Sequence, residues 1–237
     1  MKIFNGIFRI KNLNILNQQR FNNNIWKKIL VKRINKNRKI NYPLISSSPL
    51  SVILSTQFYN KKVKVLDLGS GALDIYFELN SILSNCSKLN KEKNNLKKIT
   101  LDLVELPIIL RVYKEIKFSK KFKINLLSSF NPKKKYDIIH ISNSLHYFEE
   151  PKKLINLLLK SKAKYIILNS TKVGNIKTFV TLQKFYKYSI PIWFFSIKDL
   201  VKEFMPNYKL VFVSNYLHKY FGKFSKLPMK NFPKKLR

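Results

Sequence analysis

Short apolar runs alternate with amphipathic stretches through the middle of the chain, and this alternation predicts the fold. Near-continuous apolar strands are predicted at residues 63–68, 99–105, 122–127, 136–142 and 164–169. Helical stretches are predicted between several of them, and Pro107 stands at the first position of one, which prolines favour. Strands that alternate with helices form a parallel sheet with right-handed crossovers. The pattern therefore predicts an α/β fold.

The alternation becomes less regular after residue 170. A further strand is predicted at residues 178–183 and a last one at residues 208–214. Between them, Ser196 followed by Asp199 has the form of a helix start, and Pro206 ends that helix. Together with the five earlier strands, these two predict a doubly wound, mostly parallel sheet of seven strands.

The first 60 residues are basic and read as a helical extension. Ile25, Trp26, Ile29 and Leu30 form an apolar stripe at helical spacing. Such a stripe either packs against the domain, which we favour, or lies on a membrane surface. The predicted organisation has a basic N-terminal extension, a central domain and a basic tail, at residues 1–60, 61–221 and 222–237.

The charge of the chain is strongly one-sided. It has 47 Lys and Arg against 12 Asp and Glu, a net charge of +35, and residues 1–66 and 204–237 contain no acid. A basic chain suggests nucleic acid or an anionic membrane surface as partner. However, only 6 of the 47 are Arg, the residue best suited to phosphate and base contacts, and Lys, Asn and Ile are favoured by AT-rich coding. Both explanations, a selected surface and a coding bias, stay open.

Several classes of protein are excluded by what the sequence lacks. No apolar run approaches the roughly 18 to 20 residues that span a bilayer, and the first residues do not resemble a secretory signal. A single cysteine, Cys86, excludes an internal disulfide framework and a Cys-based zinc site. We therefore expect a cytoplasmic protein with no metal centre.

Candidate chemistry begins at a glycine-rich turn that follows the first predicted strand. Gly69 and Gly71 lie between that strand and a helix, where backbone N–H groups can approach a ligand closely. The preceding strand ends in Asp67 and the next strand ends in Glu105, although the chain has only 12 acids. A carboxylate at that second strand tip can accept hydrogen bonds from both ribose hydroxyls of a nucleotide.

Three segments resemble the class I S-adenosylmethionine-dependent methyltransferases. Residues 65–71 resemble their first motif, residues 103–106 resemble their ribose-binding strand end, and residues 136–151 resemble their fourth-strand segment. The resemblance covers residues 63–170 and implies a Rossmann-like methyltransferase fold with S-adenosylmethionine as cofactor. Leu73 departs from it, because the family usually has a third glycine there.

The resemblance also implies which residues contact the cofactor. Asp67 would order the turn and reach the methionine amino group, Glu105 would bind the ribose, and Leu106 would touch the adenine. Ser128 and Ser129 fall where an adenine contact is usual, although many members have an acid there. The full set of implied cofactor-binding residues is Asp67, Gly69, Ser70, Gly71, Glu105, Leu106, Ser128, Ser129, Ser142 and Asn143.

The acceptor side is implied less directly. Residues 181–183 and 189–196 resemble an uncharacterised bacterial subgroup of methyltransferase-like proteins that occurs among surface-polysaccharide genes, which implies a sugar or nucleotide-sugar acceptor. His146 follows the fourth strand and is the candidate general base or substrate contact, whereas His140 within that strand is expected to be structural. The candidate residues for the acceptor pocket are Tyr147, Gln183 and Trp193.

The sequence thus favours one function and leaves two others open. The favoured one is S-adenosylmethionine-dependent methyl transfer to a small-molecule acceptor. The first alternative is an RNA methyltransferase whose basic ends grip RNA. The second is a non-catalytic binding protein on a methyltransferase fold, in which Leu73 impairs cofactor binding.

Overall fold

A computed structural model of the chain describes residues 4–8, 21, 23–40, 48–58, 61–89, 99–186 and 188–214. The chain divides into two compact units. The first, called the sheet unit here, comprises residues 21–142 and 161–169, and the second, the hairpin unit, comprises residues 1–20, 143–160 and 170–237. The domain boundaries expected from the sequence, after residues 60 and 221, stay predictions.

The helices and strands follow one another in a mixed order. They are β1 (Phe4–Phe8), α1 (Asn24–Arg38), α2 (Pro49–Gln57), β2 (Val63–Leu68), α3 (Asp74–Leu89), β3 (Ile99–Val104), α4 (Pro107–Lys114), β4 (Phe122–Leu127), β5 (Ile138–Ser142), α5 (Pro151–Lys160), β6 (Tyr165–Asn169), β7 (Val173–Gly174), β8 (Phe179–Phe185), β9 (Tyr188–Ser196) and α6 (Ile197–Phe204). A short 3₁₀ turn, Leu145–Tyr147, precedes α5.

The sheet unit is built on a parallel sheet with strand order β4-β3-β2-β5-β6. Leu68 pairs with Val104 and Val104 pairs with Leu127, so neighbouring strands end in register at one edge. The strand order reverses between β2 and β5, and ligands of open α/β sheets bind outside the carboxyl ends of the strands at such a reversal. The predicted α/β, Rossmann-like fold is confirmed.

The predicted count of seven strands is not confirmed, because two of them do not join this sheet in the described residues. Residues 178–183 were expected as a sixth strand, but β8 pairs antiparallel with β9 on one side and with β1 on the other. The strand β9 was not predicted at all. It forms a hairpin with β8, which directly precedes it in the chain. The pairing of β1 with β8, by contrast, joins distant parts of the chain.

The strand predicted at residues 208–214 is wrong. Residues 208–214 take irregular backbone, and the apolar side chains that suggested a strand are exposed. Val211 is 85% exposed and Phe212 67%. An apolar run becomes a strand only where a partner strand and a core receive it, and no described strand pairs with this run.

The basic extension is partly helical, as predicted, and its helix packs on the domain. Leu30 and Ile34 of α1 belong to the core of the sheet unit, where their exposed fractions are 0% and 2%. This result favours the packing interpretation over a membrane-surface helix. Residues 4–8 form a strand instead of a helix, and the predicted tail at residues 222–237 lies outside the described residues.

The local signals that begin helices are satisfied. Asn23 accepts a hydrogen bond from the Trp26 amide and Ser48 accepts one from Ser51, so both cap helices. Ser196 caps α6 by accepting from the Asp199 amide, as the sequence predicted. Within the described part of the chain, no helix combines the length and apolarity that crossing a bilayer requires.

Candidate functional site

The carboxyl edge of the parallel sheet collects most of the residues that the resemblance singled out. Ser128 and Ser129 follow β4, Glu105 and Leu106 follow β3, the glycine turn at residues 69–71 follows β2, and Ser142 ends β5. These four strands are neighbours, and they include the pair at which the strand order reverses. The topology therefore brings the candidate residues to the edge where α/β sheets bind ligands.

The glycine turn bends through left-handed backbone at three positions. Gly69, Gly71 and Leu73 have φ angles of 77°, 52° and 59°. A Cβ at Gly71 would come no closer than 3.8 Å to the Gly69 oxygen, so it is the backbone angle and not space that favours glycine there. Leu73 stands where the family has a third glycine and adopts the same left-handed conformation, at a cost of about 1–2 kcal/mol. Its side chain is completely buried in the core, so the turn keeps its bend without that glycine.

Glu105 holds the turn against the neighbouring strand. One carboxylate oxygen accepts from the Gly71 amide at 2.9 Å, and the other accepts from the Leu106 amide at 2.8 Å. Burial, reinforced by the Asp67 carboxylate, raises the pKa of Glu105 above its usual value, although the two amides oppose the shift. Glu105 thus links the glycine turn to the end of β3, and the Asp67 carboxylate is near enough to affect the pKa of Glu105.

Asp67 contacts His140 across the reversal of strand order. The two residues are paired in the ladder of β2 and β5, and Asp67 Oδ1 lies 2.7 Å from His140 Nδ1. Both side chains are almost completely buried. The expectation that His140 is a structural histidine is confirmed, and Asp67 pairs with this histidine instead of capping α3.

Sequence reasoning missed the side chains that support the turn from outside. Tyr113 on α4 donates to the Gly71 carbonyl at 2.6 Å, and Asn37 on α1 donates to the Ala72 carbonyl at 3.1 Å. Burial, together with three nearby carboxylates, raises the pKa of Tyr113 well above its usual value, so its hydroxyl remains a donor. Asn37 also contacts Asp74 at the start of α3. An asparagine in the last turn of a basic helix gives no sequence signal of such a role.

The other candidates on this edge are less enclosed. Ser128 and Ser129 are exposed, and Leu106 is 37% exposed. Ser70 is buried and donates to the Asp67 carbonyl at 3.0 Å, which tightens the turn. The contacts with a cofactor that the resemblance implies for these four residues stay predictions.

The remaining candidates belong to the hairpin unit, whose second segment begins at Asn143. Asn143 itself is exposed and has a left-handed φ of 50°. Tyr147 donates its hydroxyl to the Gln183 side chain at 2.9 Å, and Trp193 donates its ring N–H to the Phe148 carbonyl at 3.0 Å. Burial raises the pKa of Tyr147 to about 12. In this ligand-free structure, the three predicted acceptor-pocket residues brace the turn that carries His146.

His146 differs from all the other candidates. It is completely buried, and neither ring nitrogen has a hydrogen-bond partner among the described residues. Burial, assisted by the nearby Lys172 ammonium, lowers the pKa of His146 to about 3. The imidazole is therefore neutral at physiological pH and is a weak proton acceptor. Among the described residues, no group of three or more His, Cys, Asp or Glu could hold a metal ion.

No protein-family model matches the sequence, and no curated protein matches it. Solved structures with similar architecture include the [4+2]-cyclase SpnF, with 13% identity, a TM-score of 0.39, and coverage of 81% of this chain and 72% of that chain. A methyltransferase from Clostridium acetobutylicum that depends on S-adenosylmethionine has 13% identity, a TM-score of 0.38, and coverage of 77% and 87%. The N-terminal domain of EvdMO1, crystallised in the presence of SAH and D-fucose, has 9% identity, a TM-score of 0.38, and coverage of 76% and 85%. Similarity at this level establishes neither a shared activity nor a shared ligand.

Proposed function

We propose that this protein is a methyltransferase that uses S-adenosylmethionine and acts on a small-molecule acceptor, a sugar or a nucleotide-sugar. The observation that carries the proposal is the hydrogen bond from the Gly71 amide to Glu105. It joins the glycine turn to an acid at the next strand tip, beside the point where the strand order reverses. The resemblance of residues 65–71 and 103–106 to the class I methyltransferases agrees with this arrangement.

The same hydrogen bond argues against a site for an ordinary dinucleotide. In dinucleotide-binding turns, the amides after the first strand face a pyrophosphate. Here the Gly71 amide already donates its hydrogen bond to Glu105, and the carboxylate of Asp67 lies close enough to raise the pKa of Glu105. Two carboxylates beside the turn repel a diphosphate and attract a cation. S-adenosylmethionine carries a sulfonium and an ammonium group, so its charge suits this site.

The carboxylate of Glu105 still has hydrogen-bond acceptor positions that such a ligand could use. An ionised carboxylate has about four acceptor positions, and Glu105 uses one on each oxygen for an amide. Each oxygen keeps a second position, which suits two neighbouring ribose hydroxyls. Asp67 would hold the ammonium group, while Tyr113 and Asn37 keep the turn in place through its carbonyls.

The cofactor would supply a methyl group that is already activated by the sulfonium. The protein then has mainly to orient the two reactants, which in favourable cases accounts for about 7–11 kcal/mol of the barrier. As the methyl group leaves the sulfonium and bonds to a hydroxyl oxygen of the acceptor, the hydroxyl proton has to leave, and we assign it to solvent water. The pKa of His146 is about 3, so its imidazole is too weak a base to take that proton. We therefore assign His146 a hydrogen bond to the acceptor in place of the base role expected from the sequence.

Calorimetric titration with S-adenosylhomocysteine tests the proposal. We expect binding to the full-length protein, and we expect Glu105→Gln to weaken it at least about tenfold, because an amide nitrogen cannot accept from a ribose hydroxyl. Glu115→Gln is the matched control, because Glu115 is exposed at the end of α4 and bears the same charge. NADH serves as the competing ligand.

Three results would contradict the proposal. Binding of NADH with no binding of S-adenosylhomocysteine would make the site a dinucleotide site. No binding of either would favour the non-catalytic alternative. Equal losses in the Glu105 and Glu115 variants would show that charge in general, and not the strand-tip carboxylate, governs binding.

An RNA acceptor is the second candidate, and the net charge of +35 is the observation that favours it. It predicts RNA binding that weakens steeply with salt. Deleting residues 1–45 is not a clean test of it, because the deletion removes Leu30 and Ile34 from the core. Filter binding of the full-length chain to a short RNA between 50 and 200 mM salt is the better measurement, and a loss of well under tenfold would exclude an electrostatic grip.

A further inference from the structure

Two segments of the hairpin unit are anchored on β9 only two residues apart. The first is the turn at residues 145–148, here called the His146 turn, which packs against β9 and receives the Trp193 ring N–H at the Phe148 carbonyl. The second is the segment Thr171–Lys172, in which the Lys172 carbonyl accepts from the Phe195 amide at 2.8 Å. Two residues along a strand span about 6.6 Å. Both segments therefore lie against the same stretch of β9.

These two segments bury three polar atoms that lack a hydrogen-bond partner among the described residues. Both ring nitrogens of His146 and the hydroxyl of Thr171 are buried without a hydrogen bond to any described residue. Leaving one such group unsatisfied costs about 1–3 kcal/mol. Native structures rarely retain several together unless a ligand or an ordered water completes them.

A cation stands beside these groups. Lys172 directly follows Thr171, burial lowers the pKa of its ammonium group, and that ammonium helps to lower the pKa of His146. None of the ion pairs found among the described residues includes Lys172. A half-buried ammonium without a carboxylate is costly unless an anion is bound.

We propose that His146, Thr171 and Lys172 form an acceptor-binding subsite, and that the acceptor is a sugar carrying a phosphate or a carboxylate. The proposal rests on the proposed function and selects among its acceptors, because it excludes a neutral sugar. Lys172 would bind the anionic group, Thr171 would donate to it or to a neighbouring oxygen, and a neutral His146 would bond to a sugar hydroxyl. The subsite uses groups that are otherwise unsatisfied within this unit.

Side-chain NMR of the histidines tests the subsite without any cofactor. The chain has three histidines, His140, His146 and His218, so selective ¹³C labelling gives three ring signals, and His146→Gln identifies one of them. The full-length protein is titrated with glucose 1-phosphate, glucuronate, glucose and inorganic phosphate. We expect at least one acidic sugar to shift the His146 signal saturably, and glucose to leave it unchanged.

A pair of lysine variants separates the subsite from general charge attraction. Lys172→Gln is expected to weaken binding of the acidic sugar about tenfold or more. Lys177→Gln is the control, because Lys177 is exposed in the same unit and its loss changes the net charge equally. We expect no change in affinity for that variant.

If one acidic sugar binds more tightly than the other, that difference identifies whether phosphate or carboxylate is recognised. Equal shifts with glucose would show that the subsite does not require an anionic group. Binding of inorganic phosphate as tight as that of glucose 1-phosphate would show that the sugar is not recognised. An unmoved His146 signal, or equal losses for the two lysine variants, would refute the subsite. Binding of S-adenosylhomocysteine is measured separately, so these failures and a failure of the proposed function are distinguishable.

Discussion

The glycine turn of the sheet unit and the His146 turn of the hairpin unit both bury polar groups, but they treat them differently. In the glycine turn, Glu105, Tyr113 and Asn37 each make hydrogen bonds to the backbone of the turn or next to it. In the His146 turn, both ring nitrogens are buried without a partner among the described residues. A site whose groups are already satisfied is preorganised and loses little on binding, whereas an unsatisfied site gains most when its ligand arrives.

The largest expected effect comes from removing a hydrogen-bond partner beside the glycine turn. Asp67→Ala leaves His140 buried without its carboxylate, and breaking a buried pair of this kind costs about 3 kcal/mol or more. Urea unfolding followed by circular dichroism measures the change. Glu115→Ala, at an exposed position, should stay within about 0.5 kcal/mol of wild type. A loss below about 1 kcal/mol for Asp67→Ala would show that the pair is not a structural support.

The second test uses acid to probe the unsatisfied region. The pKa of His146 is about 3 in the folded chain, whereas a histidine ordinarily has a pKa of 6.5. The unfolded chain therefore takes up a proton as the pH falls below 6.5, while the folded chain does not. Acid therefore favours unfolding, and from pH 7 to pH 5 this residue alone removes about 2 kcal/mol of stability.

His146→Leu isolates that contribution. Both proteins retain Glu105 and every other titrating group, so the difference between their pH profiles belongs to His146. We expect the variant to be no less stable than wild type at pH 7, because it replaces an unsatisfied imidazole with an apolar group, and to lose about 2 kcal/mol less on acidification. Parallel profiles from urea unfolding at several pH values would mean that His146 is solvated.

The smallest expected effect is a difference in stability between two variants of Leu73, the residue that replaces the third glycine. Leu73→Ala removes a completely buried side chain and costs about 2–5 kcal/mol. Leu73→Gly removes the same packing but also relieves the left-handed backbone at φ 59°, so it should be about 1 kcal/mol more stable than the alanine variant. Equal stabilities would show that the turn relaxes when the side chain is lost. The comparison measures how much strain the satisfied turn carries.

The sequence predicted the parts of the fold that depend on local pattern. The five parallel strands, the helix start at Ser196 and the burial of His140 follow from apolar runs and capping residues that lie close together in the chain. The glycine turn and Glu105 were also found locally, because each directly follows a strand. Their meeting at one edge follows from parallel pairing.

The rest depends on contacts between distant residues. β1 pairs with β8 across more than 150 residues of chain, and no local periodicity encodes that choice. The apolar run at residues 208–214 has good strand propensity, yet its side chains are exposed in the structure. The contact of Asn37 with Ala72 was missed for the same reason: a polar side chain on a helix reveals its partner only after the helix has packed.

The contact of Asn37 with Ala72 changes where the sheet unit should be considered to begin. A fragment that starts at residue 61 keeps every strand of the parallel sheet and all three segments that resemble methyltransferase motifs. It lacks Leu30, Ile34 and Asn37, so it exposes part of the core and frees one side of the glycine turn. A fragment that keeps the sheet unit intact therefore has to include α1 from Asn24, with its cap Asn23. A fragment that also keeps the pairing of β1 with β8 in the hairpin unit has to include residues 4–8.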